Sequence, residues 1–98
     1  MTYPALPDTI AAPAGPVTVL TALHLTDGGA AAYGLYDEAT RVISVDGSLA
    51  PRFRWHTLYH EWAHVALMDS GVDNLFDERT IEALCDAFAT ARLVERFG

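Results

Sequence analysis

The spacing of apolar and polar residues predicts strands in the first half of the chain and helices in the second. Residues 17–25, "VTVLTALHL", begin with β-branched residues and partly alternate, which favours a strand. Residues 33–47, "YGLYDEATRVISVDG", contain two apolar runs around a short acidic turn, which predicts a β-hairpin of residues 33–36 and 41–45. We therefore expect strands within residues 17–47.

Two longer segments carry the signals of helices. Pro51 suits the first turn of a helix and Gly71 suits the position just after a helix end, so a helix is predicted over residues 51–70. A second helix is predicted over residues 77–97. The expected apolar face of the second helix consists of Ile81, Leu84, Cys85, Phe88 and Ala91.

The N-terminal segment differs in composition from the rest of the chain. Residues 1–16 contain four of the five prolines, and we expect an extended arm that lies on the surface or frays. The chain shows no repeat and no internal linker. The order of elements predicts one α+β domain of residues 1–98, in which a small antiparallel sheet (the hairpin plus one strand) is followed by two packed helices.

The stretch "YHEWAHVAL" places three polar residues, His60, Glu61 and His64, inside the first apolar helix. Residues four apart lie above one another on a helix, so both imidazoles can reach one ion. Glu61 lies about 100° around the helix from His60, close enough to hold a water molecule without being a ligand. Zinc with three protein ligands activates such a water molecule, and a carboxylate can then take its proton. The pattern H-E-x-x-H thus indicates hydrolysis of amide bonds.

The first helix does not supply a third zinc ligand. His56 shares a helical stripe with His60 and His64, but His56 and His64 are separated by about 12 Å along the helix axis. His24 is too distant in the sequence for its reach to be judged. We therefore expect the third ligand from the second helix.

The second helix offers acidic residues at suitable spacing. Glu82 and Asp86 are four apart, so their side chains point the same way, opposite the apolar face or at its edge. Glu82 is the favoured third ligand because Asp86, at the following turn, can orient a ligating imidazole from behind. Glu78, one turn earlier, is the rival ligand. The alternative interpretation of these carboxylates is an acidic helix face exposed to water.

The two helices together resemble a known family. H-E-x-x-H followed on the next helix by E-x-x-x-D resembles the gluzincin metallopeptidases. The fuller string, "TLYHEWAHVAL" and then "EALCDAFATARL", is similar to the phage-immunity peptidases that cleave repressors of prophages or mobile elements. The resemblance covers roughly residues 33–95 and includes Phe88-Ala89, but the Leu-Met-Pro type of segment that usually follows is absent.

This resemblance implies a role for each residue of the motif. It implies a zinc ion held by His60, His64 and Glu82. It also implies that Glu61 acts as the general base and later as the acid, and that Asp86 orients the imidazole of His60.

Composition narrows the class of partner and the compartment. Acidic residues outnumber basic ones by 13 to 6, and the formal charge of −7 argues against a nucleic-acid-binding or polybasic membrane-binding surface. The N-terminal sequence has neither the basic start nor the apolar run of a signal peptide or membrane anchor. The single cysteine, Cys85, cannot form an internal disulfide, so we expect a cytoplasmic location and a buried apolar role for this residue.

The expected function is therefore that of a zinc metallopeptidase acting on a protein or peptide. The resemblance implies that the substrate binds as an added strand along the hairpin Tyr33–Val45. The residues considered for stabilising the oxyanion of the tetrahedral intermediate are Tyr33, Tyr36, Tyr59 and His56. Two alternatives remain open, namely a non-catalytic domain on this fold that binds a partner protein and a metal-free domain with chance histidines. The oligomeric state is not predicted.

Overall fold

The order of elements along the chain separates the strands from the two long helices. The computed structural model describes residues 2–98. Its strands are β1 (Thr9–Ile10), β2 (Val17–Ala22), β3 (Thr26–Asp27), β4 (Ala30–Ala31), β5 (Gly34–Asp37) and β6 (Val42–Asp46), and its helices are α1 (Pro51–Asp69), a short 3-10 helix (Asp73–Leu75) and α2 (Glu78–Phe97). The predicted α+β class is confirmed. Within the described range, no helix combines the length and hydropathy needed to cross a membrane.

The main sheet has the strand order β1-β2-β6-β5. The predicted hairpin is formed by β5 and β6, which pair antiparallel, as do β1 and β2. The central pair, β2 and β6, is parallel, with Val19 opposite Ile43. The sequence did not predict this pairing, which the chain can make because β3, β4 and β5 lie between the two strands and carry it back across the sheet. This arrangement leaves β5 at an edge of the sheet.

The core lies between the sheet and α1, with α2 completing it. Alternate residues of β2 and β6 point inwards, as period-two burial requires. The buried side chains of the core cluster are Val17, Val19, Ile43, Val45, Trp55, Leu58, Tyr59, Val65, Ala89 and Leu93. Each large aliphatic member stabilises the fold by about 1.5–3 kcal/mol relative to exposure. The core therefore depends on α1, which contributes its largest side chains.

The buried face of α2 differs from the predicted one. Cys85, Ala89 and Leu93 are buried, whereas Leu84 and Phe88 are each 44% exposed. Small residues at two successive turns let α2 lie close to α1, so packing selects the stripe of Cys85 and Ala89 over the larger apolar residues beside it. The prediction that Leu84, Phe88 and Ala91 face the core was therefore wrong.

The N-terminal arm is attached along α1 by two indole groups. Trp55 Nε1 donates a hydrogen bond to the carbonyl oxygen of Pro4 at 2.9 Å, and Trp62 Nε1 donates one to that of Ala11 at 2.7 Å. The intervening strand β1 pairs with β2. The arm is thus extended, as its prolines predict, and it is fixed to both layers of the fold.

Arg41 and Asp69 join the hairpin turn to the end of α1. The Arg41 guanidinium donates to the two Asp69 carboxylate oxygens at 2.8 and 3.0 Å, and also to the carbonyl oxygen of Gly15 at 2.7 Å. The backbone N–H of Ala14 donates to the same carboxylate. The hydrogen bonds from Arg41 and Ala14 lower the pKa of Asp69 below its ordinary value. One ion pair therefore holds together the arm, the hairpin and α1.

We predict that Asp69→Asn lowers the melting temperature at pH 7 by several degrees. Because the pKa of Asp69 is lowered in the folded state, the stabilisation exists above the ordinary carboxyl pKa of about 3.9 and is lost as the pH falls through the lowered value. The difference in melting temperature between wild type and variant should therefore shrink below about pH 4. Calorimetry between pH 3 and pH 7, with the exposed Asp8→Asn as control, checks this. A difference that does not change with pH would contradict it.

Candidate metal centre

Helix α1 provides the polar trio on the side that faces away from the core. Leu58 and Tyr59 are almost fully buried, whereas the side chains of His60 and His64 are 18% and 23% exposed. The two imidazoles come from successive turns, and their Nε2 atoms lie 3.2 Å apart. The helical spacing therefore brings the two rings to one point, as the sequence predicts.

Helix α2 brings two carboxylates to the same point. Asp77 caps its first turn by accepting a hydrogen bond from the Thr80 N–H at 2.7 Å. One turn further on, a Glu82 oxygen lies 2.7 Å from His64 Nε2, and the other oxygen lies 3.2 Å from His60 Nε2. Both carboxylate oxygens of Glu82 thus face the imidazoles, and the outer side of Glu82 is open to solvent.

Asp86 contacts the opposite nitrogen of the first imidazole. Its Oδ1 lies 2.7 Å from His60 Nδ1. An ionised carboxylate only accepts hydrogen bonds, so Nδ1 carries the hydrogen atom, and the lone pair of the neutral ring is on Nε2. Asp86 therefore fixes the tautomer in which His60 Nε2 can act as a metal ligand.

The donor atoms fit a small divalent cation. His60 Nε2, His64 Nε2 and the Glu82 carboxylate are separated by 2.7–3.2 Å. Tetrahedral zinc with bonds of 2.0–2.1 Å requires ligand atoms about 3.3 Å apart, so the ligand atoms would have to separate by up to about 0.6 Å. A second set, His60, Glu61 and His64, has its atoms within 4.8 Å of one another. Both Glu61 and Glu82 are therefore within reach of the two imidazoles.

Glu61 lies on the inner side of the cluster, next to β5. Burial raises the pKa of Glu61, and the charges of Glu82 and Asp27 add to this effect, whereas those of His64 and His60 oppose it. A cation held by the imidazoles would act in the opposite direction, because a nearby positive charge favours the ionised carboxylate. Glu61 thus lies where its carboxylate can contact a water molecule at the edge of the cluster.

The cluster opens into a cleft of about 790 Å³ between α1, α2 and β5. The edge strand forms one wall through Tyr33, Gly34, Leu35 and Tyr36, while Phe53 and Met68 lie towards the two ends of α1. The cleft therefore runs along α1, past the polar trio, with an unpaired strand edge beside it.

The residues considered for oxyanion stabilisation and the rival ligand Glu78 lie outside the cluster of His60, Glu61 and His64. His56 lies in the cleft and its Nε2 is 3.3 Å from Thr90 Oγ1, so it is outside the metal cluster, as its spacing predicts. Tyr59 is buried and its hydroxyl accepts a hydrogen bond from Arg96 at 3.0 Å, which places it away from the cleft. Tyr33 and Tyr36 line the cleft and remain candidates for stabilising the oxyanion. Glu78 and Glu82 are both exposed on α2, and it is the Glu82 carboxylate that contacts the imidazoles.

Sequence reasoning did not single out Gly34 or Thr57. A Cβ atom placed on Gly34 would lie 2.5 Å from Thr57 Cγ2 and 3.2 Å from Glu61 Cγ. A glycine inside a strand often marks a close approach of two backbones or a ligand, and that signal was present in the sequence. That Gly34 approaches Thr57 on α1 can be seen only in the fold.

Comparison with protein-family models, with curated proteins and with solved structures found no match. The resemblance to gluzincin peptidases therefore rests on the motif residues themselves.

Cys85 is predicted to react slowly in the folded protein. The residue is 1% exposed, which confirms the expected burial, and burial raises the pKa of its thiol to about 11, with the carboxylates of Glu82, Glu61 and Asp86 adding to the effect. At pH 7.5 this reduces the thiolate fraction about a hundredfold relative to an unshifted thiol. Dithionitrobenzoate should therefore label the native protein at least about a hundredfold more slowly than the denatured one. Equal rates would show that Cys85 is accessible.

Proposed function

We propose that this chain is a zinc-dependent metallopeptidase that hydrolyses peptide bonds of a protein or peptide. The observation that carries the proposal is the convergence of His60 Nε2, His64 Nε2 and the Glu82 carboxylate within 2.7–3.2 Å, with Asp86 behind His60. A purely structural zinc site usually closes its fourth position with another Cys or His and needs no base. Here Glu61 supplies a carboxylate within 4.8 Å of both imidazoles.

The residues divide into those that bind and those that orient. His60, His64 and Glu82 would hold the zinc ion, and Asp86 would keep His60 in the ligating tautomer. When bound, zinc supplies a Lewis acid that polarises a peptide carbonyl group and acidifies a water molecule. The exposed side of Glu82 leaves room for a substrate to approach.

Glu61 is proposed to move the protons of the reaction. Its carboxylate would accept a proton from the attacking water molecule and deliver it to the nitrogen of the leaving amine. The position of Glu61 between the imidazoles and β5 suits both transfers, because the scissile bond of a peptide along β5 would pass beside it. Tyr33, Tyr36 and His56 are the residues of the cleft that can donate a hydrogen bond to the developing oxyanion.

The substrate is proposed to bind in extended form along β5. The Tyr33 carbonyl oxygen accepts a hydrogen bond from the Asp46 N–H, so Tyr33 points towards β6. Because direction alternates along a strand, the backbone groups of Gly34 and Tyr36 point to the open edge. An added antiparallel strand could pair with them and lie along the metal centre.

We also propose a cytoplasmic location, in keeping with one unpaired, buried cysteine.

Metal content is predicted to depend on Glu82 and not on Glu78. Wild-type protein and Glu78→Ala should each bind about one zinc per chain, whereas Glu82→Ala should lose most of it because only two ligands remain. Asp86→Ala should weaken zinc binding by about 10- to 100-fold, since it removes the partner that orients His60. Elemental mass spectrometry after zinc reconstitution and dialysis measures all four proteins. Zinc that is lost equally from the Glu78 and Glu82 variants would argue against Glu82 as a ligand.

Hydrolysis is predicted to require the Glu61 carboxylate. Glu61→Gln should lower kcat/KM by about 10²- to 10⁴-fold, because the amide cannot accept the proton, while zinc content and melting temperature stay close to wild type. The assay uses zinc-loaded protein with a quenched-fluorescent peptide library, and Glu78→Gln serves as the matched control. If wild type binds zinc and cleaves no peptide, the alternative of a non-catalytic, partner-binding domain on this fold replaces the peptidase.

A further inference from the structure

The edge strand approaches α1 most closely at Gly34. A Cβ atom there would meet Thr57 Cγ2 at 2.5 Å, a separation that real side chains do not reach, and Glu61 Cγ at 3.2 Å. The Ser44 carbonyl oxygen, 3.3 Å from the same Cβ position, limits the space on a third side. Gly34 is therefore a position where only a residue without a side chain lets the strand lie this close to the helix.

The reason for glycine at this position is contact and not backbone conformation. Glycines with positive φ in this chain are Gly15, Gly28, Gly29, Gly71 and Gly98, and Gly34 is not among them. Gly34 pairs in regular register with Val45 of β6. An alanine could adopt the same backbone angles, so the cost of a substitution would come from the added methyl group and its neighbours.

The two side chains that such a methyl group would touch, Thr57 and Glu61, both belong to α1 and lie beside the metal centre. Thr57 lies one turn before Glu61 on α1, and a threonine side chain in a helix is restricted to two χ1 rotamers, so its methyl group has only one other position to adopt. A methyl group at position 34 would therefore push the strand outwards or shift Glu61. The backbone groups of Gly34 point to the open edge beside Glu61, so either movement changes the distance between a bound peptide and that carboxylate.

We propose that Gly34 is a positioning residue that sets the distance between the edge strand β5 and the Glu61 carboxylate by direct contact with Thr57 and Glu61. The inference rests on the proposed peptidase function. In this role Gly34 sets the register of a substrate strand relative to the site and holds Glu61 in position. Thr57 provides the surface against which β5 packs. Displacement by about 1 Å at such a point can cost about a hundredfold in rate.

The test is Gly34→Ala, measured with zinc-loaded protein and the peptide selected from the library. We expect kcat/KM to fall about 10- to 100-fold while the zinc dissociation constant stays within about threefold, because all three ligands lie on the helices. Gly47→Ala is the matched control, since a Cβ there meets Thr21 Cβ at 3.6 Å and the Ala22 carbonyl oxygen at 4.0 Å, both ordinary contacts. Unchanged hydrolysis by Gly34→Ala, or loss of zinc parallel to loss of rate, would overturn the inference.

Thr57→Ser provides the rescue that a general loss of stability would not give. It removes Cγ2, the atom at 2.5 Å, so Gly34→Ala/Thr57→Ser should regain most of the rate and the melting temperature. The remaining contact with Glu61 should leave a deficit of about two- to fivefold relative to Thr57→Ser alone. If the double variant has the same low kcat/KM as Gly34→Ala, contact with Thr57 is not the cause of the lost activity.

Two outcomes separate failure of the inference from failure of the proposed function. Wild-type protein that binds zinc and cleaves no peptide overturns the peptidase, and the inference with it. Active wild type with an unaffected Gly34→Ala overturns the inference alone. If Gly34→Ala does not fold, the double variant decides. Recovery of its kcat/KM to within about fivefold of Thr57→Ser supports the contact, and a double variant that stays unfolded or inactive overturns it.

Discussion

The fold depends on the position of α1, which is in contact with a different partner on each side. Leu58 and Tyr59 pack into the core, and Trp55 and Trp62 hold the N-terminal arm through their indole N–H groups. The remaining side carries the HExxH motif and faces the cleft. The helix is therefore fixed from several directions, and its polar residues project from a rigid support, which a catalytic constellation requires.

The candidate metal centre is built from both helices. His60 and His64 belong to α1, whereas Glu82 and Asp86 belong to the face of α2 that packs against it. A cation bound there would add a cross-link to a contact that is also made by the aromatic pairs Trp55–Phe97 and Trp62–Phe88. Binding of the ion and stability of the folded state are then linked, because an ion that binds the folded chain selectively stabilises it.

The sequence was sufficient for features set by local spacing. Helical periodicity brought His60 and His64 to one point, and Pro51 and Gly71 bracketed α1 within two residues of its observed ends. Features set by packing between distant segments were not predictable in this way. The parallel pairing of β2 with β6 depends on how the intervening strands return, and the rotation of α2 depends on which stripe fits α1. The contact of Gly34 with Thr57 depends on both, since it joins the sheet edge to the helix.

The edge strand lies close to α1 at Gly34, beside Glu61. An unpaired strand edge needs no additional wall, since its own backbone groups can hold an extended peptide. The accuracy of that binding then depends on how firmly the strand is placed against α1. A glycine that removes every atom between the strand backbone and the helix gives the shortest possible spacing, and the Thr57 methyl group prevents anything larger from taking its place.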